Sequence, residues 1–194
     1  IGSEWRADLA FDDTAWLSGT NGVGYERSSA GTYDPYIGLT VDNLEDINGS
    51  AFIRIPFQID PATWPRLNSL LLHLQYDDGF VAYLNGHPVA SANAPSDSLT
   101  WNATASTSHD DDLAEEFETF DITSFLEHLR PGQNLLAIHG LNSTIGSSDF
   151  LIHAVLNASM EVNRSQLKLT HLTPSDTGLY VATVHNGSGE DVSE

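Results

Sequence analysis

The stretch YDDGFVAYLNGHPVA, residues 76–90, restricts the chain to strand architecture more tightly than any other part of it. Its apolar run Phe80–Leu84 ends at Asn-Gly, and a type I′ turn needs positive φ at both central positions, which those two residues tolerate. A hairpin with residues 87–91 as its returning strand is therefore expected. The period of two continues upstream. In LLLHLQY, residues 70–76, Leu70, Leu72, Leu74 and Tyr76 share one face while Leu71, His73 and Gln75 share the other. AFIRIPFQI (51–59), LLAIHGL (135–141) and FLIHAVL (150–156) add three runs of strand length, and Pro56 assigns the first of them to a sheet edge or a bulge. One helix signal stands out, a short turn from Thr123 to Leu129 capped by Asp121 and stopped by Pro131-Gly132.

Short strands separated by Gly, Pro, Asn and Asp predict an all-β sandwich. Residues 18–50 and 91–119 read as long loops, and loops of that length in a compact domain are usually functional or disordered. Residues 166–186 read as two strands joined by a turn, in which Asp176-x-Gly178-x-Tyr180 matches the tyrosine corner of an immunoglobulin-type strand F. The accompanying cysteine and core tryptophan are missing. The expected organisation is a main domain over 1–158 and a C-terminal β-hairpin extension over 159–194, either packed on that domain or the end of an immunoglobulin-like repeat.

Charge narrows the partners. Asp and Glu number 27 against 7 Lys and Arg, a net charge of −20, and Lys168 is the sole lysine. With no basic patch to release counterions, nucleic acid and anionic membrane surfaces are poor partners. Self-repulsion is tolerable where salt screens it, with a Debye length of about 8 Å at physiological ionic strength and about 3 Å at 1 M. Salt-exposed extracellular surroundings, divalent-cation occupancy and generic solubility all fit. Cysteine is absent, which removes disulfides, thiolate chemistry and Cys-type zinc sites. No run of about 18 apolar residues is present to insert in a membrane. The opening IGSEWRADLAFDD has neither a basic n-region nor an apolar h-region, and a piece of a longer chain is expected. Six Asn-x-Ser/Thr sequons, at Asn48, Asn102, Asn142, Asn157, Asn163 and Asn186, matter only in a host that glycosylates.

EWRADLAFDDTAW (4–16), GVGYE (22–26), AFIRIPFQI, YDDGFVAYLNGHPVA, FDITSFLEHLRPGQNLLAIHGLN (120–142) and SDFLIHAVL (148–156) occur in an order that resembles galactose-binding-like jelly-roll domains. Such domains are appended to large secreted bacterial proteins and are similar to the carbohydrate-binding modules that flank glycoside hydrolases. The resemblance spans about residues 4–157. It implies a jelly-roll β-sandwich that binds carbohydrate, binds protein or spaces other domains. It also implies a structural calcium near the N-terminal loop, for which Asp12, Asp13, Glu26 and Asp149 are the matching candidates. Calcium takes six to eight oxygens at roughly 2.3–2.6 Å, so two or three acids with carbonyls suffice.

For the candidate site residues the readings divide. Asp77-Asp78-Gly79 reads as a tight turn with an Asp capping backbone amides, and alternatively as a metal or ligand position. His109-Asp110-Asp111-Asp112, with Glu115 and Glu116, is a solvated loop or an irregular calcium loop. Tyr33, Tyr36 and Trp101 lie in the long loops and are the candidate platforms for a pyranose ring; Trp5 and Trp16 read as core. His73, Gln75, Tyr83 and His139 are expected to line one concave sheet face where hydroxyls could be bonded. No carboxylate pair is singled out for glycoside hydrolysis, and no G-x-S-x-G elbow occurs. The expectation is a non-catalytic module of a larger secreted or cell-surface protein, covalently linked to neighbouring domains. It binds polysaccharide through loops at one end of the sandwich. The alternative is a calcium-stabilised structural or adhesive spacer.

Overall fold

The computed structural model describes residues 2–29, 31–97 and 99–160, together with the strands β10 (Ala182–Asn186) and β11 (Gly189–Ser193). The chain divides into two units, Ile1–Glu161 and Val162–Glu194. In the second, β10 and β11 pair antiparallel with Asn186 opposite Gly189. That hairpin lies C-terminal to most of the stretch expected to form it; Asp176, Gly178 and Tyr180 lie outside the described residues.

The first unit is an all-β sandwich. One sheet has the order β2 (Leu39–Thr40), β1 (Val23–Glu26), β9 (Asp149–Met160), β4 (Leu67–Asp77), β7 (Glu118–Asp121). The other has the order β3 (Ser50–Ile59), β8 (Gly132–Leu141), β5 (Gly79–Leu84), β6 (His87–Ala92). Alternation puts Leu70, Leu72, Leu74 and Tyr76 of β4 against Phe80, Ala82 and Leu84 of β5, with Ile138 and Phe150 in the same core. Burial of this set supplies the main stabilisation, at about 1.5–3 kcal/mol for each large apolar side chain. Asn85 and Gly86 have φ of 49° and 92°, and the β5–β6 hairpin forms at the expected turn. Pro56 lies in β3, an edge strand whose one ladder partner is β8, so its missing N–H disrupts nothing.

Two expectations need correction. Residues 18–50 are not one loop, because β1 pairs antiparallel with β9 and parallel with β2. Only Val23 and Tyr25 carry the inward pattern of β1, too few for a period of two to be read. Residues 91–119 include a helical turn, Asp111–Ala114, that no sequence signal marked. The turn after Asp121 is a 3-10 helix, Thr123–His128, with Asp121 Oδ1 accepting the Thr123 N–H at 2.9 Å. Among the described residues no helix is long and apolar enough to cross a membrane.

At the hairpin end of the sandwich, buried Asn85 and Asn134 join three segments. Asn85 Nδ2 donates to His128 O at 2.7 Å and to Asn134 Oδ1 at 2.8 Å, while its Oδ1 accepts the Leu135 N–H at 2.9 Å. Asn134 Nδ2 donates to Arg130 O and Gly132 O, and its Oδ1 also accepts the Arg130 N–H. Asn134→Leu would strand several buried polar groups, each costing about 1–3 kcal/mol. A loss of about 2–4 kcal/mol in urea unfolding, with an unchanged m-value, is expected.

Candidate functional site

The chain passes from one sheet to the other at Asp77-Asp78-Gly79, and this crossing gathers the loops of one end. Asp78 Oδ1 accepts the His109 N–H at 2.9 Å and Oδ2 accepts the Ser143 N–H at 2.6 Å. Its own N–H donates to Leu141 O at 3.0 Å, and its carbonyl accepts from Asn93 Nδ2 at 2.8 Å. One residue thus fastens the 93–117 loop and the 142–148 loop to the sheet crossing. The loop before β3 joins them through Gly49 N–H to Asn102 Oδ1 at 2.8 Å, Asn142 N–H to Gly49 O at 2.8 Å and Asp46 N–H to Ile145 O at 2.9 Å.

Between these loops lies an open depression of about 770 Å³, lined among others by Asp77, Asp78, His109, Asp111, Ser147 and Asp149. Asp77 is 2% exposed, and its Oδ2 has no hydrogen-bond partner. Burial, then the neighbouring Asp78 and Asp149 carboxylates, push the Asp77 carboxyl up to about 9. Asp149 is also raised, chiefly by burial, against hydrogen bonding from Ser147. Asp77 and Asp149 both line the depression. His109 Nδ1 lies 2.8 Å from Tyr76 O and so carries the proton, while its ring stacks on Tyr76 at 4.4 Å. Two further buried side-chain polar atoms, on residues that do not line the depression, also lack partners. Tyr33 OH, whose ionisation is opposed by burial and then by Asp77, Asp111 and Asp149, is one. Asn142 Oδ1 is the other; its amide donates to Tyr25 OH at 3.0 Å, and that hydroxyl donates to Ser147 O at 2.9 Å. Among the described residues no three His, Asp or Glu side chains stand together at metal-holding spacing.

The four expected calcium ligands do not assemble. Asp12 is exposed and closes its own turn, Oδ1 accepting the Thr14 hydroxyl at 2.6 Å. Asp13 bonds Arg54 Nε at 2.7 Å, and that guanidinium also donates to Trp5 O and Asp8 O to clamp the N-terminal segment. Glu26 and Asp149 are cross-strand neighbours. Burial pushes the Glu26 carboxyl up, yet the Ser28 N–H and the Thr32 hydroxyl, both bonded to it, hold it below its usual range. Asp149 alone of the four reaches the pocket.

The expected ligand face is also corrected. His73 and Gln75 lie in β4, while Tyr83 and His139 lie in β5 and β8 of the opposite sheet. All four point away from the core, so parity sends the two pairs to opposite outer faces. His73 Nδ1 bonds Thr119 Oγ1 at 2.8 Å. Gln75, buried, donates to Glu115 O and meets His153 Nδ1 at 2.7 Å. Tyr83 and His139 are buried under Trp5 and Phe52. Of the loop aromatics, Tyr33 is buried, Tyr36 reaches Glu115 at 3.5 Å and Trp101 is 62% exposed. Sequence reasoning weighed Asp77, Asp78 and the 109–112 run singly; the contacts joining them span 31 and 65 residues, which no local pattern encodes.

No family model and no curated protein matches the chain. Solved structures resemble it weakly, among them an α-L-rhamnosidase from Streptomyces avermitilis complexed with L-rhamnose, at 14% identity and TM-score 0.34 over 75% of this chain and 9% of that one. A calcium-binding mutant of Bacteroides uniformis β-glucuronidase 2 aligns at 19% identity and TM-score 0.38, over 77% of this chain and 16% of that one. A Bacteroides uniformis β-glucuronidase aligns at 14% identity and TM-score 0.33, over 70% and 17%. These neighbours are carbohydrate-active enzymes, and this chain spans less than a fifth of their length.

Two outcomes test this geometry. Asp78→Ala removes two charge-assisted bonds worth roughly 1.5–3 kcal/mol each and should lower stability by about 3 kcal/mol, with faster proteolytic cutting within residues 93–117. Burial holds His139 down to about 4 from 6.5, so the folded state resists a proton that the unfolded chain accepts. Its contribution is complete above pH 6.5 and is lost as pH falls through 4, a change of about 3 kcal/mol. In paired urea melts at pH 7.5 and pH 4.5, His139→Phe should gain on the wild type by about that amount at the lower pH.

Proposed function

We propose that the chain is a non-catalytic carbohydrate-binding module of a larger extracellular protein, and that the loop end is its binding surface. The observation that carries this reading is Trp101. Its indole is 62% exposed, yet its backbone is braced: Ser50 Oγ donates to Trp101 O at 3.0 Å and the adjacent Asn102 side chain holds Gly49. Ile47 and Ile145, 62% and 42% exposed, occupy the loops bonded to it. An aromatic ring held out from a fixed loop is the platform that stacks on the C–H face of a pyranose, while nearby amides, hydroxyls and carboxylates bond the ring hydroxyls.

The surrounding acidity favours a neutral polysaccharide over an anionic one. The non-catalytic reading is supported by the sequence, in which no carboxylate pair is singled out for glycoside hydrolysis. A charge of −20, which external salt would screen, supports an extracellular setting, and covalently attached neighbouring domains are part of the same reading.

Affinity electrophoresis through a panel of soluble polysaccharides tests the reading. At least one neutral polymer should retard the wild type, and Trp101→Ala should weaken that retention about tenfold, the size of one stacking contact of ~1.4 kcal/mol. Its melting temperature should stay within about 1 °C, since an exposed side chain contributes little to folding. Equal loss of retention and stability would make Trp101 structural, and a wild type that no polymer retards would end the proposal.

A further inference from the structure

β3 is the terminal strand of its sheet, and the direction of its free backbone groups follows from its neighbour β8. Asn85 N–H donates to Leu135 O and Asp78 N–H to Leu141 O, so the odd-numbered residues of β8 turn their backbone groups toward β5. Asn142 N–H donates to Gly49 O, so the even-numbered ones turn toward β3. Gly140, Ile138 and Leu136 stand opposite Ala51, Ile53 and Ile55, which therefore bond β8. Phe52, Arg54 and Pro56 turn their backbone the other way, off the sheet. Among the described residues the N–H and C=O groups of Phe52 and Arg54 meet no hydrogen-bond partner. Pro56 ends this free ladder, since it has no N–H to offer.

The same edge is one wall of a cleft of about 630 Å³. Residues 51–56 line it in unbroken succession, the inward Ile53 as well as the outward Phe52, which sets the strand's edge rather than either face against the opening. The remaining lining differs on its two sides. On the inner side Val23, Leu39 and Val41 continue the main core. On the outer side stand Trp16, from the aromatic layer over the four-stranded sheet, and the Asp13 carboxylate. The one Lys or Arg in the lining, Arg54, has its guanidinium committed to Asp13 and to the Trp5 and Asp8 carbonyls.

We propose that the free edge of β3 takes up a basic, extended polypeptide segment as an added strand. Exposed amide groups in line are the template for such pairing, and a cleft beside them receives alternate side chains. Side chains of a strand alternate, so every second residue of the guest faces Leu39 and Val41 and is apolar, while those between face Trp16 and Asp13. A lysine or arginine suits that outer side, over an indole face and beside a carboxylate, and the lining holds no uncommitted cation to receive an acid. The net charge of −20 draws a basic segment in and opposes edge-to-edge pairing of two copies of this chain. The stretch ahead of Pro56, residues 51–55, gives a paired length of roughly 17 Å. Trp101 does not line the cleft, so the inference stands apart from the sugar-binding reading.

The experiment uses the whole isotope-labelled chain at neutral pH and reads amide hydrogen exchange by NMR. Alone, the Phe52 and Arg54 amides should exchange at least about 100-fold faster than those of Ile53 and Ile55, which the β8 ladder covers. The probe is a capped heptapeptide of alternating valine and lysine. It should bind saturably below about 1 mM and slow exchange at Phe52 and Arg54 at least about tenfold. The valine–glutamate counterpart, and a valine–lysine peptide N-methylated throughout, should do neither. Leu17→Arg, at a residue of the cleft that is 60% exposed, should weaken binding about tenfold with the fold intact. Glu127→Gln, the same change of charge at an exposed position outside the cleft, should leave binding as it is. Slow exchange at Phe52 and Arg54 in the free protein, no saturable binding, binding that leaves those amides unprotected, or equal binding of the glutamate peptide would each overturn the proposal. So would protection that grows with protein concentration alone, which would assign the edge to a second copy.

Discussion

The loop end depends on a single carboxylate. The chain leaves β4 in one sheet, where Asp77 pairs with Leu151, and enters β5 in the other, where Gly79 pairs with Leu141, so Asp78 alone lies between the two ladders. Its side chain makes the contacts that fasten the surrounding loops. Its two oxygens hold the amides of His109 and Ser143, which belong to the connections on either side. Charge-assisted bonds to backbone N–H groups are stronger and more directional than neutral ones, and here they set the positions of two long loops at once. With those loops placed, Trp101 is presented on a braced backbone and Asp77 and Asp149 line one depression.

The hydrophobic core imposes the opposite discipline. Inward positions of β4, β5, β8 and β9 close on one another, and their outward neighbours are committed by default to two outer faces. The face of the four-stranded sheet is covered by the N-terminal segment, with Trp5 on Phe52 and Tyr83 and Arg54 gripping Asp13 and the Trp5 and Asp8 carbonyls. His139 is therefore a neutral ring in an aromatic layer. On the other sheet Gln75 anchors the Glu115 backbone and His153. Outward polar strand residues that look available for a ligand are here consumed in attaching flanking segments.

Scarce positive charge is used in the same structural way. Arg27 ties Asp42 and Glu45, and Arg54 ties the N-terminal segment. Neither is placed at the acidic depression. The protein thus concentrates negative charge at the loop end, where no Lys or Arg lines the depression.

Local sequence determined the strands with long alternation, the Asn85-Gly86 hairpin, the edge placement of Pro56 and the turn after Asp121, because each follows from steric preference or periodicity within a few residues. It also bounded the partners through net charge. Which outward residues stay exposed was decided by tertiary structure, since two sheets facing each other turn His73 and His139 away from one another and cover Tyr83 with a segment nearly eighty residues earlier. The expected calcium ligands are dispersed for the same reason: Asp13 meets an arginine that only the folded chain brings near. The acidic pocket was present in the sequence as three separate signals, DDG, HDDD and SSD. Only the crossing between sheets, pinned by the Asp78 carboxylate, made them one place, because a hydrogen bond across 65 residues leaves no local trace.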